Sequence, residues 1–151
     1  MAGGEAVVVV TSNGTASPGA AVSITPVAPG IHEDPAGHAL VINVDGSVNR
    51  PDNPAKRGQV VIAYGAGQGP LNIPVATSAP APSNPPATTV APTTVTVGGV
   101  PATVQFNGLA PGKVGLWELS FAVPNLPPGN YPLVATVAGV SSLAVTISVS
   151  S

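Results

Sequence analysis

The sequence predicts an all-β protein folded as a two-layer sandwich, and three observations predict it. Hydrophobic residues make up 44% of the chain, and most of them are Val and Ala. The chain is punctuated by 18 Gly and 19 Pro, so apolar segments are short and repeatedly interrupted. No long stretch free of Pro and Gly carries the 3.6-residue apolar period of a helix, and the dominant residue is β-branched, which favours pleated structure. At 151 residues the chain can bury a true core.

Strands are expected at Ala6–Thr11, Ala20–Val27, His38–Val44, Gln59–Tyr64, Thr94–Val97, Ala102–Phe106, Gly115–Val123, Tyr131–Val137 and Leu143–Val149. The alternation is clearest in Trp117–Val123. Trp117, Leu119, Phe121 and Val123 share one face there, opposite Glu118 and Ser120, so Trp117 is the expected core anchor. Thr77–Pro92 breaks the pattern. Its Pro, Ala, Ser and Thr offer little to bury, and Pro cannot donate to a ladder, so a surface loop, a polyproline-like strap or a linker is expected.

An internal echo links the two ends. Val7–Val27 reads VVVVTSNGTASPGAAVSITPV and Leu133–Val149 reads LVATVAGVSSLAVTISV. Each is a Val-rich strand, a turn of small residues ending in Ser, and a second strand closing on V-x-I. The division that follows is an extra N-terminal β-hairpin over residues 1–28 and one sandwich domain over residues 29–151. The hairpin is either the remnant of a preceding domain or a strand pair used in assembly.

Several spaced motifs carry a family resemblance. They are APGI at Ala28–Ile31, DGSVN at Asp45–Asn49, NPAKRG at Asn53–Gly58 and YGAGQGP at Tyr64–Pro70, followed by Val97–Pro124 and GVSSLAVTISV at Gly139–Val149. Together they resemble the uncharacterised C-terminal domain of large secreted acidobacterial proteins of the Solibacter type. That family is similar to immunoglobulin-like domains of the IPT/TIG kind. The resemblance implies an immunoglobulin-like β-sandwich and a secreted or cell-surface location, and it implies no activity. Separately, Leu126–Leu133 (LPPGNYPL) is similar to a tyrosine corner, in which the Tyr at the start of a late strand bonds back to the preceding turn. Leu133 would then pack where antibody domains place a Cys.

Composition narrows the function. Charged residues are 7% of the chain, net charge is −2 and there are only four Lys and Arg, too few to neutralise a nucleic-acid backbone. No apolar run reaches the ~18–20 residues of a helical membrane span. Met1–Glu5 lacks a basic n-region and Ala6–Val10 is short for a signal-peptide core, so the chain reads as cut from a larger precursor or begun at an added Met. Without Cys there are no disulfides and no thiol chemistry.

The motifs that could carry chemistry are weak. Gly65-Ala-Gly67-Gln-Gly69 is followed by Pro70 and Pro74, which forbid the helix a dinucleotide site needs, so it reads as a strand exit. Gly108–Lys113 is short of a P-loop and reads as a turn. His32, Glu33, Asp34 and His38 are the only clustered metal ligands or acid–base groups, and a solvated loop is expected for them. Asp45, Asn49 and Asp52 are weak calcium candidates, because oxygen-rich loops bind calcium but Asp-Gly and Asn-Pro are also ordinary turn chemistry. Asn13-Gly-Thr15 fits a glycosylation sequon and reads equally as a hairpin turn.

The expected function is therefore structural, with no catalytic residues, no cofactor and no established metal site. The expected partners are proteins, in the form of neighbouring copies paired through edge strands into oligomers or fibres. A carbohydrate- or protein-binding adhesin-like module is the alternative.

Overall fold

The computed structural model describes residues 4–24 and 27–151. Fourteen strands follow in chain order: β1 Gly4–Val8, β2 Thr11–Ser12, β3 Thr15–Ala16, β4 Ala20–Ile24, β5 Gly30–Ile31, β6 Val41–Ile42, β7 Ala55–Lys56, β8 Val60–Ala66, β9 Thr93–Val97, β10 Val100–Leu109, β11 Trp117–Ala122, β12 Gly129–Val137, β13 Val140–Ser141 and β14 Val145–Ser150. The described residues contain no helix, so the protein is all-β.

Ten of these strands form one continuous sheet in the order β5-β8-β11-β10-β9-β12-β14-β7, with β6 added on β8 and β13 on β12. The sheet curls into two layers because β10 serves both. Its first residues, Val100–Ala102, pair with β9, while Thr103–Leu109 pair with β11 across a register shift between Val104 and Phe106. A bulge bends and twists a strand, which lets one strand turn the corner between layers.

The core lies between the layers. Trp117, Leu119 and Phe121 of β11 and Val61 and Ala63 of β8 form one face, and Val95, Val97, Leu133, Ala135, Val137, Val145, Ile147 and Val149 form the other. Trp117 is 1% exposed, as its alternating strand predicted, and its indole N–H donates to Asn107 Oδ1 at 2.8 Å. The indole thus buries its ring without leaving its donor unpaired.

All nine expected strands coincide with observed ones, with shifted ends. His38–Val44 shortens to β6 because the segment changes layers midway. The Ala39 N–H donates to Thr146 of β14, whereas Val41 and Ile42 pair with β8. Of Ala20–Val27, Ala20–Ile24 is strand, and Thr25 and Pro26 lie outside the described residues.

Thr77–Pro92 does more than expected. Ala81 and Ala87 are buried with Leu109 in a second small core, against which Leu71, Ile73 and Val75 pack. Bridges from Ala81 to Pro111 and from Thr88 to Gly108 hold the segment on the sheet as a docked strap. The apolar partners sit just before the segment and across it on β10, where the composition of the segment alone gave no sign of them.

The strands β1 and β4 form a separate two-stranded sheet, and β2 and β3 form its tip. This hairpin is paired to no strand of the main sheet among the described residues.

Candidate functional site

His32, Glu33, Asp34 and His38 sit on an ordered reversal rather than a free loop. Glu33 bridges Ala39, and Asp34 Oδ1 accepts from the Ala36 N–H at 2.9 Å and the His38 N–H at 3.0 Å. This is an Asx turn, in which the carboxylate satisfies its own backbone. The hydrogen bond from the His38 N–H holds the Asp34 carboxyl below its ordinary pKa, aided by the Ala36 N–H and the His38 ring. Asp34 Oδ2 lies 3.5 Å from His38 Nδ1 and 3.7 Å from Arg50. The cleft between these residues, Leu40 and Val48 holds about 140 Å³, below the ~300–1,000 Å³ usual for small-molecule sites. Among the described residues no three His, Cys, Asp or Glu side chains converge as a metal group.

The three calcium candidates are set apart in role. Asp45 Oδ1 accepts from the N–H and hydroxyl of Ser47, which lowers the pKa of its carboxyl, the hydroxyl contributing most. Asp52 is exposed on the turn after Arg50. Asn49 is 3% exposed and faces inward. Its amide N–H groups donate to Ser148 O at 2.8 Å and Asn43 Oδ1 at 3.1 Å, and its carbonyl accepts the Ser148 N–H at 2.8 Å. Asn49 thus serves as a strand surrogate, closing the edge of β14 with one side chain. Asn43 and Asn53 extend the network to Ser47 and to the Asn53 and Val48 carbonyls. Sequence reasoning missed this lock, and only the density of Asn in DGSVNRPDN hinted at it.

The glycines of the Gly65–Gly69 run allow close backbone approach. A Cβ on Gly65 would strike the Gly30 carbonyl, and one on Gly67, whose φ is +85°, would strike the Ala28 carbonyl. The run is where β8 receives β5 and the incoming chain, a strand exit as its prolines implied. A Cβ on Gly108 would likewise strike the Ala87 carbonyl under the strap.

Aromatic side chains are held inside or along the sheet. Trp117 and Phe121 are buried, and Tyr64, Phe106 and Tyr131 are half-buried. On the outer face Tyr64 pairs with Glu118. Desolvation raises the pKa of both, and the charge of Glu118 raises Tyr64 further. Tyr131 Oη donates to the Pro127 carbonyl at 2.8 Å, and its ring covers Gly98, where a Cβ would come within 2.7 Å of Cδ1. Leu133 is fully buried.

The remaining surface feature is the N-terminal hairpin. Asn13 and Gly14 both have positive φ, 51° and 77°, so the sequon is a two-residue turn of the mirror-image kind that suits hairpins. Val7, Val8, Val9 and Val10 are 69%, 47%, 50% and 65% exposed, the longest run of uncovered aliphatic residues in the described chain. No helix of the described residues is long and apolar enough to cross a membrane.

Neither the family models nor the curated proteins compared with this chain returned a match.

Proposed function

We propose that this chain is a non-catalytic, immunoglobulin-like module of the IPT/TIG kind from a secreted or cell-surface bacterial protein, and that it joins to copies of its own fold through the N-terminal hairpin. One observation carries the reading: among the described residues a two-stranded ribbon pairs with no strand of the main sheet, and four successive valines on it are exposed. An isolated hairpin is marginal in water, and native sheets guard their edges with charge, which this chain scarcely has. Such a ribbon gains stability by covering its apolar face with another sheet.

The tyrosine corner and the packed Leu133 support the immunoglobulin-like assignment. The absence of catalysis is supported by how the titratable groups are used, since Asp34 and Asp45 spend their lone pairs on turn backbone and hydroxyl donors. Each of the five aromatic side chains is buried or half-buried, which disfavours the carbohydrate-binding alternative. Sedimentation velocity over a range of concentrations tests the reading. The native chain should gain mass as concentration rises, and Val8→Glu with Val10→Glu should return it to monomer. A native chain that stays monomeric throughout contradicts it.

A further inference from the structure

The first and last hairpins are the same structure at a fixed displacement. Gly4↔Ile24 corresponds to Gly129↔Val149, Val8↔Ala20 to Leu133↔Val145, Thr11↔Ala16 to Thr136↔Ser141 and Ser12↔Thr15 to Val137↔Val140. Every strand pair of one maps onto a pair of the other at a displacement of 125 residues (129 for 4, 149 for 24). The details repeat as well. Asn13-Gly14 and Ala138-Gly139 form the tips, each with positive φ at both residues. The Ser17 N–H donates to the Val10 carbonyl at 2.8 Å while Ser17 Oγ accepts the Val10 N–H at 2.9 Å. Ser142 does the same to Ala135, at 2.7 Å and 3.0 Å.

Their surroundings differ. The last hairpin is seated: β12 pairs with β9 from Leu133↔Val97 to Val137↔Thr93, Val149 pairs with Ala55, and Leu133 and Ala135 are fully buried. At the matching places in the first hairpin, Val8 and Val10 are 47% and 65% exposed, and β1 pairs only with β4 among the described residues.

We infer that residues 4–24 are the closing hairpin of a preceding unit of this same fold, and that units recur every 125 residues along one polypeptide. This rests on the reading that the hairpin joins copies, and it names the seat. Thr11 would lie opposite the preceding unit's counterpart of Thr94, as Thr136 does here, with Val8 and Val10 turned onto that unit's core. The seat is on a preceding unit of the same polypeptide; between separate chains, where residues 129–149 already fill each seat, only the exposed valine face is left for weak association. The first hairpin offers Val8 where the last has Leu133, Ser12 where it has Val137 and Ala20 where it has Val145, so it is the weaker competitor for an occupied seat. Addition at a free edge is also disfavoured, because the terminal strands β5 and β7 have only two residues each.

A fusion tests this. Residues 25–128 are placed directly ahead of residues 4–151, so that 4–24 follows where 129–149 would. A control carries 129–149 at that junction. The expected result is two folded units, hydrogen exchange in 4–24 slowed at least tenfold relative to the 151-residue chain, and loss of concentration-dependent mass. Thr94→Cys in the leading segment with Thr11→Cys should form a disulfide, with no native Cys to compete. A protease-labile leading segment in the fusion but not in the control overturns the inference. Efficient disulfide formation between separate chains carrying Thr11→Cys and Thr94→Cys also overturns it, by showing exchange instead. Should the fusion fold while the 151-residue chain proves monomeric, the seat stands and self-association fails. The reverse pair of results retains self-association and removes this seat.

Discussion

Asn49 shows how much of this fold rests on one side chain. Its amide exchanges hydrogen bonds with both the N–H and the carbonyl of Ser148, so Asn49→Ala strands two buried backbone groups at once. A buried unsatisfied group costs about 1–3 kcal/mol. Asn49→Ala should therefore lower unfolding stability by roughly 2–4 kcal/mol, read by urea denaturation. Trp117 belongs to the same class: Trp117→Ala should cost about 3–5 kcal/mol. The two residues differ in legibility. Trp117 was legible because apolar and polar residues alternate within its own strand. The role of Asn49 was hidden because its partner is 99 residues away and a loop Asn reads locally as a turn former or an oxygen ligand.

Titration at the residue scale runs in two directions. Folding lowers the carboxyl pKa of Asp34 and Asp45, so their stabilisation is present above the unfolded pKa and is lost as pH falls through the folded value. Burial raises Glu118, so the folded state holds its proton more tightly, and stability declines as pH rises from the unfolded value through the folded one. Denaturation midpoints between pH 2 and 7 should thus show a shallower acid loss in Asp34→Asn with Asp45→Asn. Glu118→Gln should remove a decline that the native chain shows on the rising side.

At the scale of elements, the close approaches of backbone are the vulnerable points. Gly67→Ala places a Cβ against the Ala28 carbonyl at a φ of +85°, so the crossing of the incoming chain over β8 must open. It should destabilise by more than the ~0.4–1 kcal/mol that Gly→Ala gains where the backbone tolerates a side chain, measured by thermal unfolding. The strap makes a different prediction. Ala87 is fully buried in the small second core, so Ala87→Asp should release the strap to protease cleavage while Trp117 emission keeps its buried signature. Strand positions were legible here because Val density and alternation are local properties. The docking of the strap was not, because Leu109 comes from β10 and the alanines it covers look inert in isolation. Nor was the corner in β10, since the bulge shifts the alternation by one residue between Val104 and Phe106 and the runs on either side are too short to display the change of phase.

The whole molecule combines a closed sandwich with a second, uncovered copy of its own last hairpin. The sequence echo announced a repeat, because two V-x-I endings after a Ser-ended turn are visible by eye. It could not establish that the pairings coincide, which requires both registers. Nor could it show that one copy is buried and the other open, which depends on β9 and β7 standing beside only one of them. The lack of charge fits the same picture, for a chain with few Lys and Glu has little to keep its exposed ribbon apart from others.

Amide hydrogen exchange of the 151-residue chain at low concentration tests this asymmetry most directly, because the two hairpins have matched internal pairing and only the last is covered by neighbouring strands. Amides in Leu133–Val137 should exchange slowly, with those in Val8–Ser12 orders of magnitude faster and slowing as concentration rises. Equal, slow exchange in both ribbons of the dilute chain would contradict an open hairpin awaiting a partner sheet.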